Sequence, residues 1–248
     1  MRRRGWWVET WLFAGFVALT GALALGALPD LDLAVRDWVL AHRWEPLWHL
    51  ARSLNHVGSA NLLAAVCLVL AVPLAVRRRT PRPLLPVVAA YGLSYLVVGP
   101  LKVLFDRAAP RSPQPDAVEL FGHPAGDLSY PSGHVVNAVI WYQVVVLLLD
   151  AWSQGWSRRG GGAPGGGLPE AVRLSIRVAP PVVVSLTVTY LAFHWVTDVL
   201  AALALGVVLD RILTSLNTHQ TLPGKPSGSM MMSSSQLPRS MDRRRTSD

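Results

Sequence analysis

Six apolar stretches, each close to the ~20 residues that cross a bilayer as a helix, punctuate this 248-residue chain and leave it few folds to choose from. They run at about residues 11 to 28, 58 to 76, 84 to 101, 133 to 150, 176 to 193 and 197 to 216. Backbone that enters hydrocarbon must satisfy its own hydrogen bonds, and single runs of this length do so as helices. The expected fold is all-α: a polytopic membrane protein whose six helices bundle over residues 11–216. Residues 1–10 precede the bundle and residues 217–248, rich in Ser, Met and Arg, read as a flexible tail.

Charge placement supplies an orientation. Lys and Arg favour the cytoplasmic side of a membrane. With the N-terminus inside, 17 basic residues fall in cytoplasmic segments and 6 outside, while nine acids, Asp32, Asp106 and Asp198 among them, fall outside. Both termini are then cytoplasmic, and the formal charge of +8 reports topology rather than affinity for nucleic acid. The Ala, Arg and Gly content points to a bacterial cell membrane.

The first span, with Arg2, Arg3 and Arg4 before it and small residues at Ala22 and Ala24, also fits a signal peptide. Its length and the parity of six spans favour a retained anchor. Cys67 is the sole cysteine, so no intramolecular disulfide forms. Residues 29–57 are too polar to cross and contain Trp38, Trp44 and Trp48 with Arg36, Arg43 and Arg52, the composition of an interfacial amphipathic segment. His42, His49 and His56 repeat at sevens without acidic or thiol partners at metal-ligand spacing, so no metal site is expected. Residues 160–168, nearly all Gly around Pro164, read as a flexible connection.

The chemistry-bearing residues fall on one side of this map. Pro131-Ser132-Gly133-His134 opens the fourth span, His194 and Asp198 open the sixth, and Lys102 closes the third. A carboxylate four residues after a histidine can hold one ring nitrogen while the other stays free, which makes an oriented nucleophile or base; it can equally be a first-turn acid favoured by the helix dipole. Ser132 is placed to cap the fourth span, and Gly133 lets backbone amides approach an anion. His134 then stands beside that anion, placed to protonate a leaving oxygen.

In these residues the chain resembles the type 2 phosphatidic acid phosphatase family, which shares its core with vanadium haloperoxidases. The resemblance covers roughly residues 55–212. A first motif of Lys, six residues and Arg-Pro is matched by Lys102 and Pro110, a second of Pro-Ser-Gly-His by residues 131–134, and a third of Ser-Arg, five residues, His, three residues, Asp by Thr187, His194 and Asp198. The resemblance implies that His194 attacks phosphorus to form a phosphohistidine, that Asp198 orients it and that His134 is the general acid. It gives Lys102, Ser132, Gly133 and Thr187 the phosphate oxygens, and implies no metal or other cofactor. The expected partners are a lipid phosphate and the membrane, with the site facing the extracytoplasmic leaflet.

Two positions depart from the family pattern. Ala109 and Val188 stand where the motifs carry arginine. Removing one donor from a developing oxyanion typically costs about 100- to 1000-fold in rate. Arg107 and Arg111 flank Ala109 at two residues' distance, and in an extended loop they share a side, displaced by roughly 7 Å each. They are the expected substitutes; no cation neighbours Val188 on its helix. Three activities fit: a lipid phosphatase acting on a phospholipid or polyprenyl (di)phosphate, a phosphotransferase with a lipid phosphodiester or diphosphate donor, and a catalytically impaired lipid-binding membrane protein.

Overall fold

The structure, a computed structural model, describes residues 6–114, 116–121, 128–157 and 167–221; those residues form helices and loops without a strand. The helices are α1 (Trp7–Ala24), α2 (Pro29–Ala41), α3 (Glu45–Asn55), α4 (Ala60–Arg78), α5 (Leu85–Leu93), α6 (Gly99–Phe105), α7 (Gly133–Ser157), α8 (Glu170–Tyr190) and α9 (Val196–Thr221). Six segments are long and apolar enough to cross a membrane: α1, α4, Arg82–Phe105, Gly133–Gln154, α8 and Val196–Leu216. They match the six expected spans, with ends shifted by several residues.

Two of these helices form the centre. Half of the α7 segment and 44 % of the α9 segment are buried, against 17–22 % of the other four, whose remaining apolar surface faces outward. Small residues let the central pair approach: a Cβ on Gly206 of α9 would lie 3.1 Å from Val139 of α7. Around them pack α1, α4, α5 and α8, with Trp141, Val144, Val184 and Leu205 in the common core. Tight packing of this kind holds membrane helices together, since lipid tails offer no hydrophobic drive.

The third span is broken shortly before Lys102. Pro100 has no N–H to continue the helical ladder, and the preceding Ser94–Val98 widens into a π turn that separates α5 from α6. Ser94 Oγ in that turn donates to Asn137 Oδ1 of α7 at 3.0 Å. The segment expected as interfacial becomes two helices, α2 and α3, lying across the bundle end at which α6 finishes and α7 and α9 begin. Trp44 at the start of α3 is tied to the end of α8, its N–H donating to Tyr190 Oη at 3.0 Å.

Candidate active site

The chain reverses between α8 and α9 over residues 191–195. Ala192 takes a left-handed conformation at φ 50°, and the N–H groups of Phe193 and His194 both donate to Val188 O, at 2.9 and 3.3 Å. His194 is thus held in the turn, ahead of the helix that begins at Val196. Its Nδ1 lies 3.5 Å from Asp198 Oδ2. The same Oδ2 accepts the Trp195 N–H at 3.0 Å, so Asp198 caps the new helix and faces the imidazole at once. Nδ1 itself makes no hydrogen bond among the described residues, so the acid sits in the first turn of the helix and faces the ring without bonding to it.

Asp198 is completely buried, and its other oxygen meets a guanidinium. Arg107 Nη1 donates to Asp198 Oδ1 at 2.5 Å and to Thr197 Oγ1 at 2.8 Å; Nη2 donates to Asp32 Oδ2 at 2.6 Å and Nε to Val118 O at 2.9 Å. Asp32 of α2 also accepts the Thr197 N–H at 3.0 Å and its hydroxyl at 2.5 Å. A carboxylate at the first turn of α9 is favoured by the helix dipole, and a buried charge persists only when its partners are this complete.

This network corrects the expectation for Arg107. Its side chain is 0 % exposed and its donors are committed to protein acceptors, so it is not turned to a bound phosphate. The flanking loop is not extended: Ser112 N–H donates to Ala109 O at 2.9 Å, closing a turn that sends Arg107 inward and Arg111 outward. Arg111 lies over the Phe193 ring, 4.6 Å from its centroid, beside the catalytic histidine of the sequence reading.

The start of α7 supplies the opposite wall. The His134 and His194 ring centroids are 6.3 Å apart, close enough for one phosphoryl group to touch both. Ser132 is buried, and its hydroxyl is not the expected cap: the Val136 N–H bonds to the Ser132 carbonyl, while Oγ has no partner among the described residues. A buried hydroxyl without a partner is costly unless a ligand completes it. Gly133 admits Lys102, whose Cε would stand 3.2 Å from a Cβ there. Lys102 Nζ meanwhile donates to Leu128 O at 2.5 Å, at the rim of the same space.

Thr187 is a second correction. It is buried, and its hydroxyl donates to Val184 O at 3.0 Å within α8, which takes that donor away from a phosphate. Val188 is enclosed in the apolar core, whereas Ala109 is half-buried. Asp32 and Thr197 were not anticipated. Asp32 stands among polar residues of a segment that reads as interfacial, and nothing local distinguishes it from Asp30 or Asp37.

An apolar crevice of about 580 Å³ opens between α2, α3, α8 and α9. Val35, Thr189 and Val196 line both this crevice and the small recess that holds His194 and Pro110, so the crevice and the imidazole share a wall.

Comparison with known proteins bears on the family and the fold. The family model described as PAP2 superfamily matches residues 83–221. Phosphatidylglycerophosphatase B of Bacillus subtilis (strain 168) is 25 % identical over 198 residues, which span 80 % of this chain and 89 % of the relative. The crystal structure of a transmembrane PAP2 type phosphatidylglycerolphosphate phosphatase from Bacillus subtilis superposes with a TM-score of 0.67 at 20 % identity, covering 88 % of this chain and 98 % of that one.

Proposed function

This chain belongs to the PAP2 superfamily, and from that premise we propose that it is an integral-membrane lipid phosphatase acting on a phospholipid or polyprenyl (di)phosphate through a phosphohistidine. The observation that carries the reading is the facing pair of imidazoles, one backed by a buried carboxylate and the other beside an unpartnered serine hydroxyl.

In this reading His194 keeps its Nδ1 proton toward Asp198, which leaves the Nε2 lone pair for phosphorus. The N–P bond forms as the ester P–O bond breaks, and the departing lipid oxygen takes a proton from His134. Water then attacks the phosphohistidine, giving its proton to His134, and inorganic phosphate leaves. Ser132, the Gly133 amide and Lys102 hold the phosphate oxygens, with Lys102 exchanging the Leu128 carbonyl for the substrate. The 3.5 Å between His194 and Asp198 shortens as charge develops on the ring, as such contacts do between free and reacting states. Arg107 and Asp32 act through Asp198 as positioning residues.

The relative named phosphatidylglycerophosphatase B supports a phosphorylated lipid as substrate, and the apolar crevice beside His194 suits its hydrocarbon chain. The unequal distribution of Lys and Arg supports cytoplasmic termini and an extracytoplasmic site. Phosphotransfer is the second reading, favoured by Ala109 and Val188, since a less charged diester needs fewer guanidiniums.

Inorganic phosphate release by the detergent-purified protein, across lipid mono- and diphosphates with His194→Ala alongside, tests the proposal. Release that disappears in the variant is expected. Release equal in both proteins, or phosphate moved only to an added acceptor, overturns hydrolysis by this route.

A further inference from the structure

Three guanidiniums gather near the turn that holds His194, and among the described residues none of them is paired with a carboxylate. Arg43, between α2 and α3, and Arg52 of α3 lie over the same ring, their Cζ atoms 4.4 and 5.2 Å from the Trp48 centroid. Arg111 lies over Phe193, the residue before His194. The two groups are fastened together where the Trp44 N–H and carbonyl bond to Tyr190 Oη at 3.0 and 3.3 Å, three residues before Phe193. Pro110, next to Arg111, lines the recess that holds His194. Burial and then the charges of Arg43 and Arg52 hold the Arg111 guanidinium below its ordinary value, so the three are near enough to repel.

Among the described residues none of the three forms an ion pair, although Arg36, close by, is matched by Asp37 at 2.8 Å. Aromatic faces stabilise a cation by attraction to the ring without cancelling its charge. Like charges collected in this way are unfavourable until an anion arrives, and arginine's planar fork suits phosphate oxygens. The transferred phosphate already has its place between His134 and His194, and the cluster lies on the flank beyond Phe193.

We propose that Arg43, Arg52 and Arg111 bind a second phosphoryl group of the same substrate, so that the protein selects lipids carrying two phosphates over those carrying one. The two phosphates belong either to a diphosphate or to a phosphomonoester joined through a phosphodiester. This inference rests on the lipid phosphatase reading for its substrate, but the anion site itself can be probed without turnover.

The test uses the full chain in detergent with Arg43→Ala/Arg52→Ala, two exposed positions. First, calorimetry in a His194→Ala background compares inorganic pyrophosphate with inorganic phosphate. Pyrophosphate is expected to bind at least tenfold tighter, and the advantage is expected to vanish in the triple variant. Equal affinity for the two anions, or an advantage that survives loss of both arginines, overturns the site. Second, the kcat/KM ratio of a polyprenyl diphosphate to phosphatidate, and of phosphatidylglycerophosphate to phosphatidate, is expected to fall about tenfold through KM in the double variant, the loss typical of a charge-assisted bond. A fall for one lipid only identifies how the two phosphates are joined; an equal loss on all three lipids means general attraction to anionic surfaces and overturns the selectivity. Pyrophosphate binding that depends on the arginines, in a protein that hydrolyses no lipid, would retain the anion site and reject the phosphatase reading.

Discussion

Arg107 donates to Asp198 at 2.5 Å in a space from which solvent is excluded on both sides of the bond. The guanidinium came from a loop expected to clamp substrate, and it grips the carboxylate that faces His194 instead. Breaking a buried pair by removing one partner typically costs about 3–5 kcal/mol. Arg107→Ala is expected to lose stability in that range and to lose activity with it. Asp32→Asn leaves the Arg107–Asp198 bond in place, so thermal unfolding is expected to change less and the effect to appear in kcat more than in KM. Unfolding of Arg107→Ala at the wild-type temperature would remove this network from the account.

Ser132→Ala separates binding from stability. The hydroxyl has no partner to lose within the described protein, so the folded state is expected to be unchanged or slightly more stable. The proposed mechanism loses a phosphate donor, and kcat/KM is expected to fall about 10- to 100-fold. Thermal unfolding and phosphate release measured on one preparation check both halves; a destabilised but fully active variant would contradict them.

Ala109→Arg offers a gain. The position is half-buried beside the site and its side chain meets no packed core, unlike Val188. A guanidinium there is expected to raise kcat/KM on a lipid monophosphate by about tenfold, the worth of one charge-assisted bond. Initial rates on phosphatidate decide the matter, and an unchanged rate would mean that the slot does not face phosphate.

Tyr130 gives the fold an alkaline limit. Burial pushes its phenol up from the ordinary value of 10 to about 12, with the Thr20 hydroxyl as its partner at 2.6 Å. Between those values the unfolded chain has released the proton and the folded chain retains it, so stability falls as pH rises from 10 to about 12 and is fully present below 10. Unfolding temperatures across this window are expected to drop less steeply for Tyr130→Phe. Parallel curves would place the alkaline loss elsewhere.

The spans were legible because hydropathy and length act locally: a run of about 20 apolar residues has one way to satisfy its backbone in hydrocarbon. The pairing of His194 with Asp198 was legible for a similar reason, since four residues across a turn and a helix start bring the two together whichever residue begins the helix. Arg107 and Thr187 were not. Spacing placed them beside the motifs, but direction came from contacts 75 and 91 residues away for Arg107 and from an acceptor on its own helix for Thr187. A loop that turns at Ala109 looks the same in sequence as one that runs straight. Asp32 needed the third dimension altogether, because its partners lie 75 and 165 residues away.

The buried triad of Asp32, Arg107 and Asp198 has two carboxylates to one guanidinium and so by itself carries a net negative charge in a low-dielectric space. A neutral imidazole nearby leaves that charge standing. In the proposed phosphohistidine, His194 keeps its Nδ1 proton and the ring becomes positive, so the negative charge beside it stabilises the imidazolium. Asp32, which lies outside the residues matched to the superfamily, thus adds to the field that favours a positive ring at His194.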